Sequence, residues 1–572
     1  MKPISSRLPA SLFRPAPLAL VCGVIASAAI LVACGGSNDP IAAAPTTTPP
    51  VTTPTTPATP GTVVPPTPAS RERWTVGDLH VHTFQSDDTQ QTTTLDQVLA
   101  KAFVTFGLDW TAVSDHLRAS NYDNNGNRLA SAIPFSRGMA QFQVPRIKEL
   151  QAAGTYADKT IVSSFEWDMP THDHANIAIL TDTPLSAAAL KAANQFEYLF
   201  TNRAATDFDA ADVTAWSATD TKAFSTHADA MAAIAWLKRN YPDTSYLQIN
   251  HPSRNVGTYT VAQLREMNDL APNIMFSIEG MVGNQMEPDR GGYTQASAAV
   301  PNPVALTYGG VDYLVATLGG TWDALLSEGR RIWNVADSDY HFKTNGANSS
   351  GYAPGEYAKN HLWGDITDPK SLLAAMRSGR VYGTYGDLIS ALDFNVSSSA
   401  GKGEMGASLA ARAGETVTVT VRFKSPERNH FEFNLGSGVP ANVKPQVDHV
   451  DIIAGDITGR ELPGTAGYAR ATNPSTRVVK RLTAADWKLD AEGYYAATYT
   501  MAASKSTYFR LRGTNLGVNV AGETANGEPL ADLAIKPSVV TDPQTRFNAI
   551  NARNYGDLWF YSNPVFVTVS GV

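Results

Sequence analysis

The chain is almost without cysteine. Its 572 residues hold two, Cys22 and Cys34, both near the amino terminus. The remaining sequence therefore offers no thiol nucleophile, no cysteine-ligated metal site and no disulfide, so any metal must be held by His, Asp or Glu. Positive charge is also scarce. Lys and Arg number 45 against 53 Asp and Glu, a formal net charge of -8. Such a chain has nothing with which to displace counterions from a duplex, so non-specific nucleic-acid binding is excluded and no nucleic-acid partner is expected. Residues are 43% hydrophobic and 17% charged, a globular balance with material for two or three domains.

The one long apolar run lies at the start. Lys2, Arg7 and Arg14 precede LALVCGVIASAAILVA, which has the layout of a secretory signal and is short for a spanning helix. It ends Leu31-Val32-Ala33-Cys34-Gly35 and resembles a bacterial lipoprotein signal. That resemblance implies cleavage before an acylated Cys34, so residues 1–34 are the expected signal segment. Each buried acyl methylene contributes about 0.8 kcal/mol, so several chains would anchor firmly. The expected location is the bacterial cell envelope, at the outer membrane or periplasmic face. Residues 35–73 include PTTTPPVTTPTTPATPGTVVPPTPAS, too poor in apolar surface to fold and biased to extended polyproline II. They are expected to be a tether.

From residue 74 to 386 apolar runs such as DWTAVSD, TIVSSFEW, ANIAIL, SYLQIN, IMFSIEG and RIWNVADSD alternate with helix candidates such as DAMAAIAWLKRN. That alternation predicts an α/β domain of mostly parallel strands, with chemistry at the strand carboxyl ends. Residues 387–572 change pattern. ETVTVTVRF alternates with period two, as do HVDIIAG, YYAATYTM and STYFRLRG in part, which predicts an antiparallel β-sandwich.

Five clusters carry metal-ligand types. They are Asp78-Leu79-His80-Val81-His82 with Ser86-Asp87, Ser114-Asp115-His116, Glu166 with His172 and His174, Asn250-His251-Pro252, and Asp337-Ser338-Asp339-Tyr340-His341. Imidazole nitrogen suits zinc, iron and manganese, and carboxylate oxygen suits hard ions and can bridge two. Residues two apart on a strand share a face, so His80 and His82 can address one ion. With 11 histidines in the chain a single His-x-His pair would arise by chance in roughly one chain in five. The informative feature is recurrence of the clusters at successive strand ends. His227 fits no motif, His361 and Lys343 are weaker cleft candidates, and His430 and His449 fall in the second region.

GDLHVHTFQSDD, VSDH, FEWD with its trailing histidines, NHPS and ADSDYH together resemble the PHP superfamily, the polymerase and histidinol phosphatase group. The likeness covers Trp74 to about Tyr385. It implies a distorted (β/α)7 barrel, followed here by the β-sandwich, and two or three divalent ions (Zn, Mn or Fe). Carried over by motif, one ion takes His80, His82, Glu166 and Asp339. A second shares Glu166 and adds His251 and His174 or His172. A third takes Asp87, His116 and His341. Asp78 and Asp115 border these ligands as candidate ring-orienting acceptors, and Arg380 is a candidate phosphate clamp. The implied reaction is attack of a metal-bridging hydroxide on a small anionic phosphate ester. Hydrolysis of an amide, carbamate or carboxylic ester on the same site, and a non-catalytic surface-binding role, are the other readings open to the sequence.

Overall fold

The computed structural model describes residues 71–89, 93–283, 290–342, 351–431 and 443–571. The apolar leader with Cys34, nearly all of the tether and Lys343 lie outside them. Among the described residues no helix is long and apolar enough to cross a membrane.

The first region is mixed α/β, as the alternation of runs predicts. Its strands are β1 (Arg73–Val81), β2 (Trp110–Val113), β3 (Thr160–Ser163), β4 (Phe165–Asp168), β5 (His174–Ile179), β6 (Ser245–Ile249), β7 (Met275–Met281), β8 (Trp333–Ala336), β9 (Ala358–Gly364) and β10 (Val381–Tyr385). They fall into two sheets. In one, β1, β2 and β3 are parallel, while β9 lies antiparallel on the other edge of β1 and β10 antiparallel beyond it. In the other, β4, β5 and β6 are successively antiparallel, and β6, β7 and β8 are parallel. No closed barrel is present among the described residues. The two sheets touch at their functional end through single-residue bridges, Val81 to Tyr340 and His116 to Glu166.

Local chemistry explains the helices that cover the second sheet. α1 (Ala187–Phe200) starts at Ser186, whose hydroxyl accepts from the Ala189 amide. α2 (His227–Asn240) opens with a Thr226–Asp229 capping box and α3 (Val261–Leu270) with a Thr260–Gln263 one. Each box satisfies amide groups that the first helical turn would leave unpaired. Phe196, Trp236, Leu237 and Leu264 then bury against Phe165, Trp167, Leu247 and Ile278 of the sheet. Each such side chain removed from water contributes about 1.5–3 kcal/mol.

The second region is a five-stranded antiparallel sheet built on 391–398, 401–404, 416–424, 488–489 and 495–502. Thr416–Lys424 buries every second residue, which is what TVTVTVRFK predicts. Its inward Val417, Val419, Val421 and Phe423 share a core with Ile452, Phe509 and Phe566. Those partners, however, belong to the long sheet of the first region. Trp559–Ser562 pairs with β10, and Thr507–Thr514 pairs with Trp559–Ser562. The pattern change at residue 386 is therefore not a break in the sheet. One pair, Ser408–Arg412 with Val565–Ser570, is parallel.

Candidate metal centre

The five motifs converge where the two sheets meet. His80 and His82 straddle the end of β1, and both are fully buried. His116 follows β2, Glu166 sits on β4, and His174 begins β5. His251 follows β6, while Asp339 and His341 follow β8. Two of these residues hold left-handed backbone, His251 at φ 27° and Asp339 at φ 46°. A side chain pays for that conformation, and such strain concentrates at functional positions. Gly283 makes the second turn possible, because a Cβ there would stand 2.1 Å from the Ser338 carbonyl carbon.

Glu166 is the hub. Its Oε1 lies 3.2 Å from His80 Nε2, 3.0 Å from His174 Nδ1 and 3.3 Å from His251 Nε2. Its Oε2 lies 3.4 Å from His82 Nε2 and 3.0 Å from His116 Nδ1. Asp339 Oδ1 stands 3.2 Å from His80 Nε2 and 3.3 Å from His82 Nε2.

Hydrogen bonds assign the ring tautomers. His80 Nδ1 lies 3.1 Å from Glu279 Oε2, so that nitrogen carries the proton. His82 Nδ1 lies 2.8 Å from Ser86 Oγ, whose own proton goes to Asp115. The two Nε2 atoms are 3.0 Å apart, and against its burial Asp339, Glu166 and Glu279 hold His80 well above its ordinary value. A divalent cation beside both rings and both carboxylates would take the place of the second proton on His80. Glu166 Oε2 and His116 Nδ1 are buried with only each other and His82 Nε2 close by, and His251 Nδ1 is buried with Asp173 Oδ1 no nearer than 3.6 Å. Buried polar atoms of this kind need a partner. The donor set, nitrogen and carboxylate oxygen with no sulfur, fits divalent zinc, manganese or iron. Among the groups that could hold an ion are His80, His82 and Glu166; Asp173, His174 and His251; His82, His116 and His341; and His116, Glu166 and His174.

Electrostatics follows the same geometry. Burial alone would push the Glu166 carboxyl up, but His174, His80 and His116 hold it well below its ordinary value. Burial pulls His174 down, and Glu166 and Asp168 more than offset this, taking it up to about 10. His341 is pushed up to about 9 by Asp339 and Asp88 against its burial. His82 goes the other way, to about 3, through burial and the neighbouring His341.

Several expected roles change. His172 is not in the cluster. Its Nε2 lies 2.8 Å from His227 Nδ1, its Nδ1 meets the Thr258 carbonyl and its ring stacks on Tyr259. The next strand begins only at His174, and that residue meets Glu166. Asp87 pairs with Arg118 at 3.1 Å yet still forms, with Asp88 and His116, a group that could hold an ion, and Asp88 itself reaches His116 at 2.9 Å and His341 at 3.4 Å. Asp78 accepts from the backbone amides of His80 and Ser338 and touches no imidazole. Asp115 also touches none. It binds Thr83, Ser86 and Gln143, and so reaches His82 only through Ser86.

Arg380 is at the wrong end of the sheet. It precedes β10, level with Trp363, which pairs with Trp74 at the start of β1. There it binds Glu404 at 2.5 Å and lies over the Trp363 ring. The arginines that do border the cluster are Arg254 and Arg118, each 3.5 Å from a different nitrogen of His174. His361, also outside, bonds Thr384 and stacks on Tyr382.

Glu279, Asp88, Asp168 and Asp173 are the acids that motif reading missed. Asp168 Oδ1 is 3.1 Å from His174 Nε2, and Asp173 Oδ1 is 3.6 Å from His251 Nδ1. Glu279 had a signal: it is the one charged residue in the wholly buried strand MFSIEGM.

No protein-family model and no curated protein matches the chain. One solved structure is similar at TM-score 0.31 and 11% identity, covering 81% of this chain and 94% of its own. It is a two-domain protein from Bacteroides vulgatus containing a predicted PHP-like metal-dependent phosphoesterase. A likeness that faint decides nothing about chemistry, which rests on the donor geometry.

Proposed function

We propose that this chain is a divalent-metal hydrolase acting on a phosphate ester. The observation that carries the proposal is the convergence of six histidines on Glu166 and Asp339 in a largely buried cluster flanked by Arg254 and Arg118. His80, His82, Glu166 and Asp339 would hold one ion, His174, His251 and Asp173 a second, and His116, His341 and Asp88 a third. Bound there, such ions supply Lewis acidity and lower the pKa of a coordinated water.

The protein's own residues set the rest. Glu279 and Ser86 fix the tautomers of His80 and His82, as outer acceptors do in metal sites. Arg254 is tied to Asp173 at 2.7 Å, which keeps its guanidinium beside His174. A guanidinium fork matches the oxygens of a phosphate and neutralises its charge. A neutral amide or carboxylic ester makes no demand for a nearby cation, which is why the charge of Arg254 favours phosphate over carbonyl substrates.

Two further readings belong to this proposal. The five motifs support a place among the PHP-type hydrolases. The leader sequence supports anchorage of Cys34 in the bacterial envelope. Radiolabelled fatty acid should enter the wild-type chain and not Cys34→Ser, and equal labelling would defeat the anchor.

The test of activity is a substrate panel with added manganese or zinc. p-Nitrophenyl phosphate or bis(p-nitrophenyl) phosphate should turn over only with metal. Arg254→Ala should raise KM about tenfold, the worth of a lost charged hydrogen bond. Arg380→Ala should leave kcat/KM within about twofold, because its partners Glu404 and Trp363 lie at the far end of β1. Hydrolysis of p-nitrophenyl acetate without any phosphate hydrolysis would overturn the proposal.

A further inference from the structure

An open cleft of about 540 Å³ adjoins the metal cluster. Arg118, Asp168, Asn202, Arg203 and Phe224 are among its walls. Asp168 belongs to both spaces, since it also lies 3.1 Å from His174 Nε2. The cleft therefore begins where the cluster ends.

Its two arginines differ. Arg118 is fully engaged: Nε and Nη2 each bond Asp168 at 2.8 Å, and Nη1 bonds Asp87 at 3.1 Å. It positions Asp168 and has no donor pair to offer. Arg203 is held only at its base, where Nε donates to Glu197 Oε1 at 3.2 Å. Glu197 is fully buried and pinned by the Phe135 and Ser136 amides, so the anchor is rigid. Lys222 fixes the same turn from behind by donating to the Tyr198 and Arg203 carbonyls, both at 2.6 Å. The terminal nitrogens of Arg203 have no protein acceptor among the described residues. A guanidinium with a fixed base and an unengaged tip is preorganised for a bidentate anion. Phe224, 38% exposed, adds an apolar face to the same cleft.

We propose that this cleft receives the alcohol half of the substrate and that Arg203 binds a second anionic group carried on it, a carboxylate or a phosphate. This rests on the phosphoesterase reading. It narrows the substrate from any phosphate ester to one whose leaving group is itself charged. The Phe224 face suits a planar or apolar spacer between the two anions. A short neutral alcohol would leave both Arg203 and Phe224 without contact.

The experiment uses the metal-loaded full chain with two kinds of probe. The first is turnover of phenyl phosphate, 3-carboxyphenyl phosphate and benzene-1,3-diyl bisphosphate, whose last two members separate carboxylate from phosphate recognition. The second is calorimetric binding of phenylphosphonate and 3-carboxyphenylphosphonate, which cannot be hydrolysed. Wild type should favour the members that carry a second anionic group about tenfold, in kcat/KM over phenyl phosphate and in Kd over phenylphosphonate. Arg203→Gln should bring both ratios close to one, and Arg203→Lys should restore part of them. Equal binding of the two phosphonates by wild type would overturn the proposal, as would an equal loss for both in Arg203→Gln. If the phosphonate ratio stands while no phosphate ester turns over, the cleft assignment survives and the hydrolase reading falls.

Discussion

Glu166→Gln will empty the centre of metal and lower turnover on the order of a thousandfold, because several kcal/mol of charge stabilisation leaves with the ions. The substitution keeps shape and removes charge. Glu166 stands within 3.4 Å of five imidazoles, so no other residue couples as many of the candidate ligands. An amide in its place offers one oxygen and an NH2 group pointed at a ring nitrogen or at a cation. Asn250 Nδ2, which donates to Glu166 Oε1 at 2.8 Å, would donate equally to an amide oxygen there and hold the new side chain in position. Loss of activity would then reflect lost coordination. Elemental analysis of the purified variant beside its kcat is the decisive pair of measurements. Full metal content with unchanged turnover would remove Glu166 from the centre and with it the geometric case for a hydrolase.

Adding metal to the metal-free protein should raise its Tm, and the gain should grow as pH rises. A ligand at a thousand times its Kd adds about 4 kcal/mol of stability per site. The pH dependence follows from two histidines. In the metal-free protein the nearby carboxylates push His174 up to about 10 and His341 up to about 9. An unfolded histidine titrates near 6.5. The raised groups therefore stabilise the metal-free fold fully below about pH 6.5, and that contribution fades as pH climbs through 9 to 10. Metal binding runs the opposite way, because a coordinating imidazole must first lose its proton. Acid favours the protonated, metal-free cluster and alkali favours the loaded one. Scanning calorimetry at pH 6 and pH 8.5, with and without zinc or manganese, measures both slopes. A metal-induced gain that shrinks with rising pH would contradict the assignment of His174 and His341 as ligands.

Much of the centre was legible because strand geometry is local. His80 and His82 share a face by period two, and the burial of both was implicit in an apolar strand ending in histidines. The acids were harder. Asp87 and Asp88 are adjacent in a turn, where no periodicity says which one points inward. His172 and His174 are also two apart, yet the first lies in a turn before β5 and the second in its first pair, so the alternation argument fails between them. Arg380 was misread because the motif it trails is close in sequence, whereas β9 carries the chain back to the far end before Arg380 appears. Arg254 and Arg203 had no signal at all, since an arginine after a histidine motif or at a helix end is usually a surface residue. The fold divides the same way. Helices and single strands follow from capping and alternation, but pairing of β10 with residues about 180 positions later is a non-local event that no window of sequence contains.

That pairing bears on how the gene can be cut. Ending the protein at residue 386, where the hydrophobic rhythm changes, would strip Trp559–Ser562 from β10 and leave a bare row of amides and carbonyls. It would also uncover Tyr357, Tyr385 and their neighbours, which now share a core with Tyr555 and Leu558. A raw edge beside wet aromatic rings invites one truncated copy to zip onto another. The shortened chain should sediment as aggregate, whereas the intact one stays in solution.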